Sequence, residues 1–249
     1  MTHDPVVWAI AFLLIFVGLL YFFTGRVAAG YKPALRRIDA FEALKGFTGR
    51  AIEAGRTLHL SLGIGSIANE TTADSLAGLA VLNYLAEQGA ITGVPPTVSM
   101  ADPTVMLFAQ NALRAAHADD PAGAEEAYRQ IRWLAPQPAA YAAGVMTLID
   151  IEDTEANVLV GNFGDEYLLM GEAAARRGLA GHIGGTSNPN TLPFIYASAE
   201  ETLLGEEIYA AGAYLQQRPS HLGSLLTQDT ARWLVASFIL LGILFASLS

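Results

Sequence analysis

The chain has no cysteine, which excludes disulfides, thiolate metal sites and cysteine nucleophiles together. Lysine is nearly missing too: Lys32 and Lys45 are the only two, so nothing beyond residue 45 carries an ammonium group. A Walker-type phosphate loop and a Schiff-base lysine both need that group, and both are excluded downstream. Basic residues number 14 against 24 acidic ones, for a net charge of −10, and the acids fall in short clusters rather than a tail. A phosphate backbone requires a basic face, so no nucleic-acid partner is expected. His59, His117, His182 and His221 are scattered, without a second ligand at helical spacing, and no metal site is expected. Ser66 follows Gly65 directly, so no GxSxG elbow exists. The pairs Glu125/Glu126 and Glu206/Glu207 are adjacent on helices, diverge by about 100° and cannot share acid–base work. The sequence therefore names no catalytic residue and no cofactor.

What the chain does have is uncharged apolar length at both ends. Pro5 to Phe23, PVVWAIAFLLIFVGLLYFF, is 19 residues without a charge. At about 1.5 Å per residue it nearly matches a hydrocarbon core of about 30 Å. Met1 to Asp4 carry no Lys or Arg, so a retained span is expected instead of a cleaved signal peptide. Trp233 to Leu248, WLVASFILLGILFASL, is a second, shorter run of 16 residues. Arg26, Lys32, Arg36, Arg37, Lys45 and Arg50 follow the first run, and Arg218 and Arg232 precede the second. Basic flanks stay in the cytoplasm, so both termini are expected outside and the central domain inside. Four segments follow: an N-terminal span (1–24), a basic amphipathic connector along the membrane surface (25–56), a cytoplasmic domain (57–217) and a linker with the C-terminal span (218–249).

Short β-prone runs alternate with helices through the central domain. TLHLSLGIGS leads by a glycine turn into a helix expected to end at Gly89. PPTVSMADP leads into a helix capped by Asp102, and a third helix, AGAEEAYRQIRWLA, stops before Pro136. AAYAAGVMTLIDIEDTEANVLVGNFGDEYLLMGEAAARRG reads as helix, strand, helix, with Asp165 capping the last; a hairpin turning at Asp153 is the alternative for its first half. LAGHIGGTSNPNTLPFIYAS reads as two strands around a polar loop. The expected fold is α/β: a mostly parallel, Rossmann-like sheet with helices on both faces, flanked by one transmembrane helix at each terminus. Two βαβ halves, 57–118 and 156–200, echo one another.

Ligands of parallel sheets collect where strands end and helices begin. Three turns qualify. The first holds Gly63, Gly65, Ser66, Asn69 and Glu70, with Asp102 following the next strand. The second holds Gly161 and Gly164, and the third Gly184, Gly185, Thr186, Ser187 and Asn188. Acids beside the first two, Glu70 and Asp74 at one and Asp165 and Glu166 at the other, oppose an anion; the third brings hydroxyls and amides together without an acid.

The strings LSLGIGSIANETTADSLAGLAVL, GNFGDEYLLMGEAA, GGTSNPNTLPFIYA and LLGEEIYAAGAYL resemble an uncharacterised prokaryotic family of membrane-anchored domains of unknown function, over about residues 55 to 216. The resemblance implies no activity. The leading expectation is a non-enzymatic, self-associating membrane scaffold, because helices such as Ser75 to Leu85 and Ala139 to Val145 are rich in the small residues that let helices approach closely. The alternative is a small-ligand-binding or enzymatic domain that uses the glycine turns. Expected partners are the lipid bilayer, further copies of the chain or other membrane subunits, and, on the alternative, a small molecule.

Overall fold

Two segments, 58–62 and 156–160, are buried on both faces, as the inner strands of a parallel sheet are. They belong to β1 (Thr57–Gly63) and β4 (Thr154–Asn162), which pair in parallel at the middle of a six-stranded sheet. The computed structural model of the protein describes residues 5–179 and 181–248. Residues 1–4 of the expected N-terminal segment and residue 249 of the C-terminal one lie outside the described residues.

The sheet runs β3-β2-β1-β4-β5-β6, adding β2 (Thr97–Met100), β3 (Ile131–Trp133), β5 (His182–Thr186) and β6 (Glu201–Leu204), with every pairing parallel. This is the doubly wound, Rossmann-like order. Successive side chains on a strand face opposite ways, which sorts the core into two layers. Gly78 of α3 (Thr72–Thr92) lies against Leu62 and Val160, with α4 (Pro103–Ala116) packed beside it. On the other face Tyr141 of α6 (Pro138–Ile151) and Tyr167 of α7 (Tyr167–Arg177) cluster with Leu159, Phe163 and Ile195, the last from α8 (Leu192–Ser198). The order of elements is therefore strand–helix–strand on both sides of the centre, β1-α3-β2 and β4-α7-β5.

Several local expectations change, each for a physical reason. The stripe expected to lie on a membrane surface is α2 (Asp39–Ala54), and it belongs to the α/β unit, Arg37–Leu215. Its Phe41, Leu44 and Phe47 are buried, Phe41 stacks on Tyr214 at 5.2 Å, and Arg50 reaches the buried Glu155 of β4 at 3.2 Å. An amphipathic stripe has the same period whether it meets lipid or a sheet. The first long helix runs past Gly89 to Gly93, because Gly89 serves close packing on Pro95 and it is Gly93 that adopts φ +74°. QIRWLA does not continue the helix: α5 (Pro121–Arg129) stops and β3 follows as a three-residue edge strand. LPFIYAS is helix α8, not a strand, and its Pro193 sits in the first turn, where its missing N–H costs nothing. Residues 138–151 are helical, and no hairpin forms there. Asp165 does not cap α7; Glu166 stands at the N-cap position and accepts the Gly164 N–H at 2.8 Å.

The second unit comprises Met1–Arg36 and Gln216–Ser249. Its helices, α1 (Pro5–Ala28) and α9 (Pro219–Leu248), are long and apolar enough to cross a membrane, and no residue in their most apolar windows is buried. They pack antiparallel: Gly223 meets Thr24 so closely that a Cβ would stand 2.4 Å from its Oγ1, while Phe12 and Phe16 share a groove with Val235 and Ile239.

The central glycines differ in kind. Gly63 has φ +78° and a Cβ there would lie 2.1 Å from the Asn162 carbonyl oxygen, whereas Gly93, at φ +74°, faces open space. Left-handed backbone costs a non-glycine residue about 1–2 kcal/mol, and a backbone clash adds to it. Gly63→Ala is expected to lower the thermal midpoint of the full chain in mild detergent by roughly 8 °C or more, and Gly93→Ala by about 2–4 °C. Equal shifts would contradict the close approach.

Candidate functional site

In the order 3-2-1-4-5-6 the crossovers leave β1 and β4 in opposite directions, so the carboxyl ends of these two strands form the topological switch point. What the sequence places there is glycine first. Gly161, at φ +156°, could not carry a Cβ because the Leu62 carbonyl oxygen would be 2.2 Å away; across from it, the Ile64 N–H donates to the Asn162 carbonyl at 2.9 Å. The two strand ends are thus drawn tightly together, and Gly65 fits between the Asn162 side chain and Ser75.

The loop that follows is closed on itself. The Ser66 N–H donates to Thr71 Oγ1 at 2.9 Å, Asn69 Oδ1 accepts from the Thr71 N–H and hydroxyl at 2.9 and 2.7 Å, and the Asn69 N–H donates to Thr72 Oγ1 at 3.0 Å. A phosphate-binding turn leaves its amides pointing outward. Here several amides have local acceptors, and Glu70 adds a negative charge at the rim. Asp102 caps α4, accepting from the Thr104 N–H at 2.8 Å, the Val105 N–H at 3.4 Å and the Thr104 hydroxyl. Desolvation pushes its carboxyl up, but the hydrogen bonds from Thr104, Ser66 and Val105 outweigh it and hold the group below the usual value. Thr104 also lies 3.3 Å from the Ile67 N–H, tying the β2 end to the first loop.

The residue at the middle of this arrangement is Asp74, in the first turn of α3 and only 5% exposed. Its Oδ2 accepts from Asn162 Nδ2 at 2.8 Å, and its Oδ1 accepts from Ser187 Oγ at 2.7 Å and from the Tyr209 hydroxyl at 2.6 Å. Three separate elements thus donate to one carboxylate: the β4 end, the loop after β5, and the 3-10 turn Gly205–Ala210 after β6. Burial, followed by the hydrogen bond and charge of Asp74, raises the Tyr209 hydroxyl above its ordinary range.

Of the sequence candidates, Gly63, Gly65 and Ser66 stand at and just after the joined strand ends, and Ser187 is linked to them through Asp74. Asn69 and Glu70 are exposed on the outer loop, and Asp102 joins through Thr104. Gly161 shapes the floor, while Gly164 turns the chain into α7. Gly184, Gly185 and Thr186 lie inside β5 and are buried; they admit Tyr167, Ile195 and Leu203 and are not loop residues. Asn188 secures its loop by donating to the Phe163 carbonyl at 2.8 Å. Sequence reasoning missed Tyr209 and gave Asn162 no role. It noted Asp74 only as an acid opposed to anions, and no local signal joins Asp74 to a tyrosine 135 positions later.

Beneath the site a polar row crosses the sheet. His59 Nδ1 donates to Asn157 Oδ1 at 2.6 Å, so its Nε2 accepts the Ser99 hydroxyl at 2.9 Å. On the far side of Asn157, His182 Nδ1 lies 3.2 Å from the Asn157 carbonyl, and its Nε2 lies 3.3 Å from the Tyr167 hydroxyl. Tyr141 completes the row, 2.6 Å from Ser61 Oγ, and burial raises its hydroxyl to about 12. Burial lowers His59, and it lowers His182 to about 4 with the repulsion of His59 adding. Among the described residues no three His, Asp or Glu side chains are placed to hold a metal ion.

These features define a class: a Rossmann-like parallel α/β domain whose switch point is acidic and whose chain carries an apolar helix at either end. The chain belongs to the family described as Domain of unknown function (DUF6754), whose sequence model matches residues 3–249 and so takes in both apolar helices. No curated protein and no solved structure matches it.

Neutral buried histidines set a pH dependence. The unfolded chain binds their protons below about pH 6.5. The folded chain resists them until about pH 4 at His182. Their stabilisation is complete above about 6.5 and is lost as pH falls towards 4, at up to about 1.4 kcal/mol per unit for each group. The fall in thermal midpoint between pH 6.5 and 4.5 is expected to be smaller in His182→Gln than in the native chain; identical slopes would overturn this assignment.

Proposed function

We propose that the α/β domain binds a small, unphosphorylated ligand bearing amine or hydroxyl groups at the carboxyl ends of β1 and β4, and that the two apolar helices hold it at the cytoplasmic face of a membrane. Asp74 carries the reading: a buried carboxylate at the switch point whose partners are all neutral donors. A carboxylate in that position favours a ligand that brings donors or positive charge. The rim agrees in sign, with Glu70, Asp102, Asp165 and Glu166 at strand ends and helix starts, while Arg114, Arg129, Arg176 and Arg177 lie in the last turns of α4, α5 and α7. A nucleotide, which the fold alone would call to mind, meets repulsion here. Binding is proposed without catalysis because no nucleophile–base pair accompanies Asp74 among the described residues.

Thermal stabilisation of the full chain in mild detergent tests the ligand class. Putrescine or L-lysine is expected to raise the midpoint, with the rise abolished in Asp74→Asn and reduced in Ser187→Ala, while NAD and ADP leave it unchanged. Stabilisation by the nucleotides, or a putrescine effect that survives Asp74→Asn, would overturn the reading.

Orientation rests on the basic residues after α1. Protease added to sealed, right-side-out vesicles is expected to leave residues 50–220 intact; their digestion would reverse the topology.

Self-association is a second reading, favoured by a different observation. Gly78 and Gly144 are used within the domain, against Val160 and Leu134, so the small-residue helices do not carry it. Leu107 and Phe108 of α4, exposed at 62% and 47%, and Leu76 of α3 do. Light scattering in mild detergent is expected to give a multimer for the native chain and a monomer for Leu107→Asp/Phe108→Asp; a native monomer would remove the scaffold reading.

A further inference from the structure

The basic residues of this acidic chain are gathered where acids are missing. Residues 5–38 and 208–228 contain no Asp or Glu, yet they hold Arg26, Lys32, Arg36, Arg37 and Arg218, five of the 14 basic residues. In the unit formed by the two apolar helices, a cavity of about 420 Å³ opens where α1 ends and α9 begins. Val27, Leu35 and Leu222 give it apolar walls, Tyr31 and Lys32 line its polar side, and no carboxylate lines it. Lys32 has no carboxylate partner among the described residues. Arg26 is not part of the lining; it stands over the Tyr31 ring, 4.9 Å from guanidinium carbon to ring centroid, and over Phe22 at 5.9 Å, so a second cation is held beside the cavity.

Apolar walls meeting a lysine without a carboxylate partner, at the end of a membrane-length helix, match one chemistry. We propose that this cavity binds an anionic phospholipid of the bilayer, with its phosphate at Lys32 and Arg26 and the upper part of an acyl chain against Val27, Leu35 and Leu222. The proposal rests on the reading of α1 and α9 as membrane spans. The level is that of headgroups, since α1 places its uncharged length before Arg26 and the cavity follows directly after. Inorganic phosphate would use the cations but not the apolar walls, and a zwitterionic lipid would use the walls but bring its own cation to Lys32.

The test uses the delipidated full chain in mild detergent. Native mass spectrometry and thermal stabilisation are read against dioctanoyl phosphatidylglycerol, dioctanoyl phosphatidylcholine and inorganic phosphate. Phosphatidylglycerol is expected to bind at least tenfold more tightly than phosphatidylcholine. Lys32→Gln should weaken it about fivefold, the loss expected for one basic residue near an anionic surface. Lys32→Arg should restore it, and Arg114→Gln, far along the chain on α4, should not affect it. Lys32 is exposed, so its replacement leaves folding intact. Equal binding of the two lipids, or stabilisation by phosphate alone, would overturn the site while leaving the spans in place. Release of the native chain from membranes by alkaline carbonate would overturn the spans and the site with them.

Discussion

The close approach of β1 and β4 at their carboxyl ends governs this molecule. Gly63 and Gly161 each face the carbonyl of the opposite strand at a distance no Cβ could share. With the strand ends drawn together, Asn162 reaches Asp74 in the first turn of α3, and the second turn settles against β4, where Gly78 admits the contact. Parallel sheets of this order normally part at that point to leave a crevice for a phosphate-bearing ligand. Here the strand ends are held together, with the buried Asp74 carboxylate beside them. The topology is the doubly wound order, and the residues at its switch point are acidic.

The polar row beneath the crevice couples the same strands by other means. Asn157 bonds to a histidine on each neighbouring strand, and both rings stay neutral because burial disfavours their charge. Hydrophobic side chains at these positions would pack without fixing register. A His–Asn–His row is satisfied in only one alignment, so it specifies which residue of β4 faces which residue of β1 and β5.

Much of the architecture was legible in the sequence, because it rests on signals of length and period. The two apolar ends, the parallel α/β core and the Asp102 cap follow from uncharged length, from strand–helix alternation and from a side chain two residues before the amide it accepts. What could not be read depends on partners distant in the chain. The stripe of α2 has the same spacing against a sheet as against lipid, β3 is too short to show a period, and Gly184 and Gly185 look like loop until β5 is placed between its neighbours. The candidate site divides in the same way. Its glycines and Ser187 stood out by composition, whereas the link from Asp74 to Asn162 and Tyr209 spans 88 and 135 positions and belongs to the tertiary structure alone.

The outer strands carry a further consequence. β3 and β6 have three and four residues, half the length or less of the nine-residue β4. A long open edge recruits a neighbouring copy into a continuous sheet. Edges this short offer too few free amides for that. The sheet is thus shut against growth by strand addition on either side, and its copies are not drawn into strand-to-strand aggregation.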